Sequence, residues 1–524
     1  MTRLVLGPLL RHVDEQSATI WVETDRPGTV RVLDTTAPTF TLHGHHYALV
    51  EVTGLAPGSV TPYEVALDEE TVWPEPGSSF PPSALRTLGS AEPLRLVFGS
   101  CRRAPADPAI FGLDALSAYA ARLASGGAPA PDTLLMIGDQ VYADAPGEKM
   151  KEFIRARRDI SQPPHEEIAD FEEYTELYRL AWSTDPAVRW LLSTVPTLMI
   201  FDDHDVRDDW NTSYAWREHM AAQSWWRGRI TAGIGAYWIY QHIGNLSPAE
   251  RAADPIYAAV SKGGDGGQVL DEFAERADRS PEQSHWSYTR QFGDTRVVVV
   301  DSRCARLLTP ERRAMLDDAE QRWFDKQCTG DVDHLLIVSS IPYLLPPAIH
   351  HGEAWNERVS AGAWGHKRGA RFGEKLRQTA DLEHWAAFDS SFRTIAKAVT
   401  SVAAGERGRV PATIAFLGGD VHYSYVARVG DTPIVQLVCS PMCNPLAGAF
   451  KWANIVGGWS ATAVAARLMA RLAGAPRPPL KWRVTHGPWF ENDIATVELA
   501  GRNASVSWET PTDAGFTAHA TVDL

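Results

Sequence analysis

Cysteine is scarce in this chain. Cys101, Cys304, Cys328, Cys439 and Cys443 are the only five among 524 residues. An odd number at sparse spacing excludes a disulfide framework as the scaffold. Long apolar runs are missing too, and none approaches the roughly 20 residues of a membrane span. Residues 1–11 have too short an apolar core for a signal peptide, and no twin arginine appears early. A soluble, cytoplasmic protein without a transmembrane segment is expected. Positive charge is in deficit: 50 Lys plus Arg stand against 65 Asp plus Glu, a net charge of -15. That balance excludes general nucleic-acid binding, which needs basic surface against phosphates. It leaves phosphate esters open as substrates, because bound cations can reverse the local field. Several enzyme signatures are absent as well. The glycine-rich run 261–267 lacks the terminal Gly-Lys-Ser/Thr of a P-loop. No Gly-x-Ser-x-Gly elbow of a serine hydrolase occurs. A cysteine-phosphatase loop needs an arginine six positions after its nucleophile, and Asp107 stands there after Cys101.

What is present is a globular composition, 44% hydrophobic and 22% charged, in a chain too long for one ordinary domain. The 19 Trp read most simply as core and cleft lining. Residues 1 to about 90 look all-β. Short alternating stretches (18–24, 29–33 and 47–52) are separated by Gly, Pro and Asp, which suggests a small β-sandwich. His43, His45 and His46 within it read as exposed strand-edge residues rather than a metal site. The Pro- and Gly-rich segment 74–82 marks a linker or domain edge. From about 91 the pattern changes to apolar strands alternating with amphipathic helices, an α/β arrangement. Residues 215–245 are rich in Trp and Tyr. Thr309-Pro310-Glu311 offers an N-cap, a first-turn Pro and an acid for a helix running towards 328. Residues 350–377 suggest an irregular insertion beside the cleft. A helix over 455–474 carries Arg on one side and reads as covering the core, although with Arg477, Lys481 and Arg483 it could lie on a membrane surface. Strands near 494–497 and 504–508 suggest a closing β-hairpin. No internal repeat is visible.

The chemistry concentrates at strand ends. In Thr133–Asp144, four apolar residues run into Gly138-Asp139, and Tyr142 follows three residues later. Such a run fits a strand buried on both faces, with the aspartate left at its carboxyl end, where α/β sheets tend to bind ligands. A carboxylate and a phenol so close can share one hard metal ion. Three further strands end alike: in Cys101, in Asp202-Asp203-His204-Asp205, and in Asp420 with His422. Strand ends on one edge of a sheet converge in space, so these groups can meet although some 300 residues separate them. A shared metal site is the expectation, against a bland reading of Cys101 as an inert buried thiol and His422 as a satisfied core histidine. Cys, Tyr, Asp and His together suit a trivalent or borderline transition ion, iron first among them. Asp203, Asp420 and a shared Asp139 are all-oxygen and suit Ca²⁺, Mn²⁺ or Mg²⁺. Two ions bridged by one carboxylate can hold a hydroxide nucleophile and clamp a transferring phosphoryl group. His204 could protonate the leaving oxygen, with Asp205 orienting it. Arg102, Arg103, Arg217 and Arg303 could bind phosphate, but each reads first as a surface or ion-pairing residue.

The blocks Phe98-Gly99-Ser100-Cys101, Gly138-Asp139-Gln140-Val141-Tyr142, Asp202-Asp203-His204-Asp205-Val206 with Trp210, and Gly419-Asp420-Val421-His422 resemble, in order, those of PhoD-like alkaline phosphatases, within the calcineurin-like metallophosphoesterases. The resemblance spans about residues 1–440 and leaves the region beyond unexplained. It implies a four-layer αββα metallophosphoesterase domain over 91–445, preceded by an immunoglobulin- or fibronectin-like sandwich over 1–90. Residues 446–524 would then pack on that domain as a helix and closing hairpin. It implies an iron–calcium centre hydrolysing phosphomonoesters and phosphodiesters. Cys101, Asp139, Tyr142 and His422 would hold Fe(III), while Asp139, Asp203 and Asp420 would contribute to Ca²⁺. Mn²⁺, Mg²⁺ and Zn²⁺ are the alternative metals. The Gly-Asp-x-x-Tyr arrangement also looks like that of purple acid phosphatases, in keeping with Fe(III). Two departures are visible. The twin-arginine signal of secreted members is absent, and Asp208-Asp209 stand where some members have asparagines. The expected substrate is a small phosphate ester. The rivals are a phospholipase-D-like phosphodiesterase on the same centre and a non-catalytic calcium-binding interaction protein.

Overall fold

In the first 86 residues, alternation of β-branched and polar side chains produces two four-stranded antiparallel sheets, beside a two-stranded pair of Val60–Pro62 with Ala84–Arg86. Leu4–Val13, Ser17–Thr24, His45–Thr53 and Phe40–Leu42 form one, and Thr35–Pro38, Thr29–Val32, Val65–Leu67 and Glu70–Trp73 the other. Leu10, Ile20, Val22, Val30, Val50, Val65, Leu67 and Trp73 fill the space between them, as the period-two pattern requires. The structure is a computed structural model and describes residues 2–89, 93–309, 311–446 and 460–524. The opposite face of the first sheet is not solvated. Leu6, Leu9, Trp21 and Tyr47 join the main core of the molecule. The buried Arg11 donates to the carbonyls of Tyr240 (3.1 Å) and Gln241 (2.7 Å) and to the Asn245 side chain. His43 and His45 are not free edge residues either: they reach Asp271 and Glu172 on helices outside the sandwich.

Two large sheets follow. One runs Thr197–Ile200, Thr133–Ile137, Leu94–Gly99, Ile494–Ala500, Asn503–Thr512, Gly515–Asp523. Its first three strands are parallel and the rest antiparallel. The closing hairpin is therefore part of a three-strand extension, pairing directly with Leu94–Gly99. The other sheet runs Tyr288–Phe292, Thr295–Val300, His334–Ser339, Thr413–Gly418, Ile434–Val438, Ser424–Val429, Trp482–Trp489, with a parallel centre of four. Alternate residues of each strand take opposite faces. Val297, Val299, Leu336, Val338, Ala415 and Leu417 share one buried core with Leu96, Phe98 and Leu135, which lie on one face of the other sheet. Val298, Leu335, Ile337, Ile414 and Phe416 instead meet Phe324, Phe392, Ile395 and Val399 of two covering helices. Leu116, Tyr119, Tyr174, Leu177 and Leu191 cover the outer face of the first sheet. The result is α/β in four layers: helix, sheet, sheet, helix.

Local expectations change in two places. The helix read from Thr309-Pro310-Glu311 starts instead at Asp318, where Asp317 caps Ala319 and Glu320. Around Thr309, two short strands, Leu307–Leu308 and Arg313–Ala314, pair with each other, and Pro310 lies outside the described residues. The supposedly irregular insertion holds two helices, Pro347–Ser360 and His366–Thr379. Of the helix expected over 455–474, Ser460–Leu472 is helical, and 455–459 lie outside the described residues. From Arg229 to Asn245 the Trp- and Tyr-rich stretch is buried helix, including a π-helical turn at Tyr237–His242. Among the described residues no helix is long and apolar enough to cross a membrane.

Candidate metal centre

Parallel strands of both sheets end at one edge, and their terminal turns are unusual. Cys101, Asp139, Asp420 and His422 all carry positive φ, at 55°, 52°, 65° and 57°. That region costs an L residue roughly 1–3 kcal/mol and persists only where the surroundings fix it. Here they do. Cys101 N–H donates to Gly138 O (3.2 Å), and Arg102 N–H to Asp139 O (3.1 Å). Asp420 N–H donates to Ser100 Oγ (3.2 Å), and His422 N–H to Ser440 Oγ (3.1 Å). Gly138 has φ 105°, and a Cβ there would meet those of Asp202 and Ser340 at 2.8 and 2.9 Å. Only glycine lets the Thr133–Ile137 strand end this close to its neighbours.

The turns bring the sequence-predicted residues together. Potential ligand atoms of Cys101, Asp139 and His422 lie within 4.8 Å of one another. The same holds for Asp139, Asp203 and His204, and for Asp202, Asp203 and Asp420. Tyr142 joins the first group, its hydroxyl donating to Asp139 Oδ2 at 3.3 Å. Asp203, His204, Asp420 and His422 line a cavity of about 490 Å³.

Charge and burial fit a cation here. Asp139 is buried, its Oδ1 has no hydrogen-bond partner, and its pKa is pushed well up by burial, with Asp202 and Asp203 adding to it against His204. Buried carboxylates crowded in this way are relieved by a metal ion. His422 is held down to about 4 by burial, so its imidazole is neutral, the form that binds metals. The ring is hydrogen-bonded to the backbone of Asn444, a common arrangement for a ligating histidine. Burial and the Asp139 charge push the Cys101 thiol and the Tyr142 phenol well up, so a cation must displace their protons to bind.

Around Asp203 and Asp420 the protein already supplies positive charge. Arg303 is fully buried and pairs with Asp202 and Glu383. Its Nη2 lies 3.3 Å from Asp203 Oδ1 and 3.6 Å from Asp420 Oδ1. Asp203 also accepts from the amides of His204 and Asp209, and Asp420 Oδ2 hydrogen-bonds His384 Nε2 at 2.9 Å. Carboxylate oxygens keep a second lone pair, so both residues can still ligate. The Cys101–Asp139–His422 group nevertheless has fewer competing donors and fits a cation better. Asp208 and Asp209 rise to about 7 and about 9 through burial and neighbouring carboxylates, so without a cation they favour the protonated form and add little negative charge beside Asp203.

His204 stands apart from the ligand roles. Its Nδ1 lies 2.9 Å from Asp144 Oδ2 and 3.0 Å from Oδ1. Burial would lower its pKa, but the charges of Asp144 and Asp139 raise it well above the usual histidine range. His204 in turn holds Asp144 down to about 2 against burial. Asp205 does not orient His204. Its carboxylate accepts the amides of Gln140, Val141 and Asp202 and so ties two strand ends together. Asp144, five residues after Asp139, is the partner that sequence reasoning missed. Glu353, His384 and Glu383 were missed too: they lie off the strand ends, and Glu353 orients His384 through Nδ1 at 2.7 Å. Of the arginines, Arg102 pairs with Asp114 and Arg217 with Asp278. Arg303 is buried behind the carboxylates, while Arg103 stays beside the site, 5.9 Å from the centroid of the Tyr142 ring.

Comparison with known proteins gives three findings. The family model described as PhoD-like phosphatase matches residues 96–456. A domain of unknown function, DUF7800, matches residues 1–85. Among solved structures, one titled "Structure of PhoD" shares the fold with a TM-score of 0.59 at 12% identity, covering 99% of this chain and 88% of that one. The similarity in fold thus extends past residue 440. No curated protein sequence matches the chain.

Proposed function

The chain belongs to the PhoD-like phosphatase family, hydrolases of phosphoric esters, and on that premise we propose a two-cation phosphoesterase in which His204 is the general acid. The observation that carries this reading is that Asp139 belongs to two groups of converging ligand atoms, one with Cys101 and His422 and one with Asp203 and His204. Cys101, Asp139, Tyr142 and His422 would hold Fe(III), and Asp139, Asp203 and Asp420 would hold Ca²⁺. When bound, the cations supply Lewis acidity, activating water near neutral pH and neutralising phosphoryl charge.

The chain's own residues supply the rest. His204 carries its proton at rest because Asp144 and Asp139 favour the imidazolium. Asp144 holds Nδ1–H, which leaves Nε2–H to meet the oxygen of the leaving group. Arg303 pairs with Asp202 and Glu383 from behind, and together with Arg306 it holds Glu383 down to about 2 against burial. Arg103, whose guanidinium lies against the Phe111 and Tyr142 rings, would steady the phosphate. Leu345, Ile349, Val421 and Tyr423 line the same cavity as the acids. That apolar lining favours a second ester substituent, and with it a phosphodiester reading, over a bare monoester. The division of the chain near residues 90 and 445 belongs to this proposal as well. Family membership displaces the reading as a non-catalytic calcium-binding protein.

The test is turnover of a chromogenic monoester and the matching diester by the protein as purified, after chelation, and after return of iron and calcium. Activity lost on chelation and restored by both metals is expected. Unchanged activity after complete metal removal would overturn the reading.

A further inference from the structure

Away from the catalytic cleft, a second cavity of about 360 Å³ is lined by His351, Arg467, Arg471, Arg477, Lys481 and Trp482, among others. It lies between the helix Pro347–Ser360, the helix Ser460–Leu472 and the start of the strand Trp482–Trp489. The four cations at its rim are exposed. None of them forms an ion pair with an acidic side chain among the described residues. Arg467 Nε reaches only the ring of His351, at 3.3 Å. This is uncommon in a protein with a net charge of -15, whose arginines elsewhere are largely paired, as Arg157, Arg158, Arg179 and Arg227 are. His351 is held down to about 4 by burial together with Arg467 and Arg471, so it accepts from Arg467 as a neutral ring and adds no positive charge to the rim.

The helix carrying Arg467 and Arg471 has three faces. Ala470 and Ala473 pack on Ala354, Trp355 and Val359, and their small size brings the two helices close. Val464, Leu468 and Leu472 recur at four-residue spacing, which places them in one row. They are 62%, 57% and 69% exposed, and Met469 beside them is 42% exposed. Arg467 and Arg471 fall between the packed face and the apolar row. The helix so presents an apolar stripe with a basic margin that leads into the basic cavity.

We propose that this face binds a bilayer surface rich in anionic phospholipid, with Val464, Leu468 and Leu472 entering the headgroup–acyl boundary and the cavity receiving a lipid phosphate. Apolar side chains beside unpaired arginines are what an interfacial helix requires. A free phosphate ion would satisfy the cations but leaves the apolar row unexplained. A second copy docked through the same face by two-fold symmetry would set Arg467 and Arg471 against their own kind. The inference does not depend on the phosphoesterase reading.

The test is co-sedimentation of the full-length protein with vesicles of phosphatidylcholine alone, and of phosphatidylcholine mixed with phosphatidylglycerol. Binding only to the mixed vesicles, weakened by salt, is expected. Arg467→Ala with Arg471→Ala should lower the partition by roughly 10- to 30-fold, at about one factor of five per cation. Leu468→Asp with Leu472→Asp should abolish binding. Both pairs are exposed, so Tm and turnover of a soluble ester should stay unchanged. Failure to bind mixed vesicles, equal binding to both kinds, or retention of binding in the leucine variant would overturn the proposal. So would a dimer in light scattering that the leucine variant converts to monomer.

Discussion

At the residue scale, the centre depends on which groups keep their protons. His204 and Asp144 form one unit: the carboxylate fixes the ring and favours its charged form. His204→Asn should lower kcat by roughly 10²- to 10⁴-fold on esters with poor leaving groups, the usual range for loss of a general acid. Esters with an acidic leaving group should be much less affected, because they need no proton. Asp144→Asn should reproduce that selectivity in milder form, and comparing kcat across leaving groups checks both. Arg303 has a different role. It balances buried carboxylates that would otherwise be uncompensated, and breaking such a pair typically costs about 3–5 kcal/mol. Arg303→Met should therefore lower unfolding free energy by that order in denaturant titration, whatever it does to turnover. Asp139, Tyr142, Asp203, Asp420 and His422 were legible in the sequence because each follows an apolar run. Asp144 stood in the same stretch but had no role until the fold set His204 against it. Glu353 and His384 lie in helical and loop sequence that carries no chemical signal of its own.

At the scale of elements, the site is a product of strand ends. The turns after 99, 137, 200 and 418 carry the candidate ligands. Cys101, Asp139, Asp420 and His422 hold positive φ there, a local strain of the kind found at functional sites. Gly138 is where the turn is tightest. Gly138→Ala should destabilise the protein by at least about 1 kcal/mol, since φ is positive and the Cβ has no room. It should also lower metal content, which thermal unfolding and elemental analysis of the same sample would show. Strands were legible from apolar runs, whereas helix starts were less so. Thr309-Pro310-Glu311 had every local mark of an N-terminus, but the chain there pairs as short strands and Asp317 caps the helix instead. Local capping chemistry yields to tertiary pairing when the two compete.

At the scale of the whole molecule, the N-terminal sandwich is tied to the catalytic body by buried polar contacts as well as by its apolar face. His45 sits between Glu23 (3.1 Å) and Glu172 (2.8 Å), the latter on the helix Phe171–Ser183. Burial alone would lower its pKa, but the two carboxylates more than reverse that, and it is raised above 6.5. A group raised on folding lends stability that is full below its unfolded pKa and is lost as pH rises through the folded value. His45→Gln should thus lower Tm more at about pH 6 than at about pH 9. Such ties were not legible, because nothing in residues 40–50 identifies a partner more than 120 positions away.

Cys101, Asp139, Tyr142 and His422 are proposed here to bind one iron. The most direct measurement is elemental analysis of the purified protein taken with its visible spectrum, for the parent chain and for Tyr142→Phe. Iron is expected in the parent, with a tyrosinate-to-Fe(III) charge-transfer band that the Phe variant loses while its fold is retained. A protein that takes up neither iron nor another transition metal after reconstitution would contradict it.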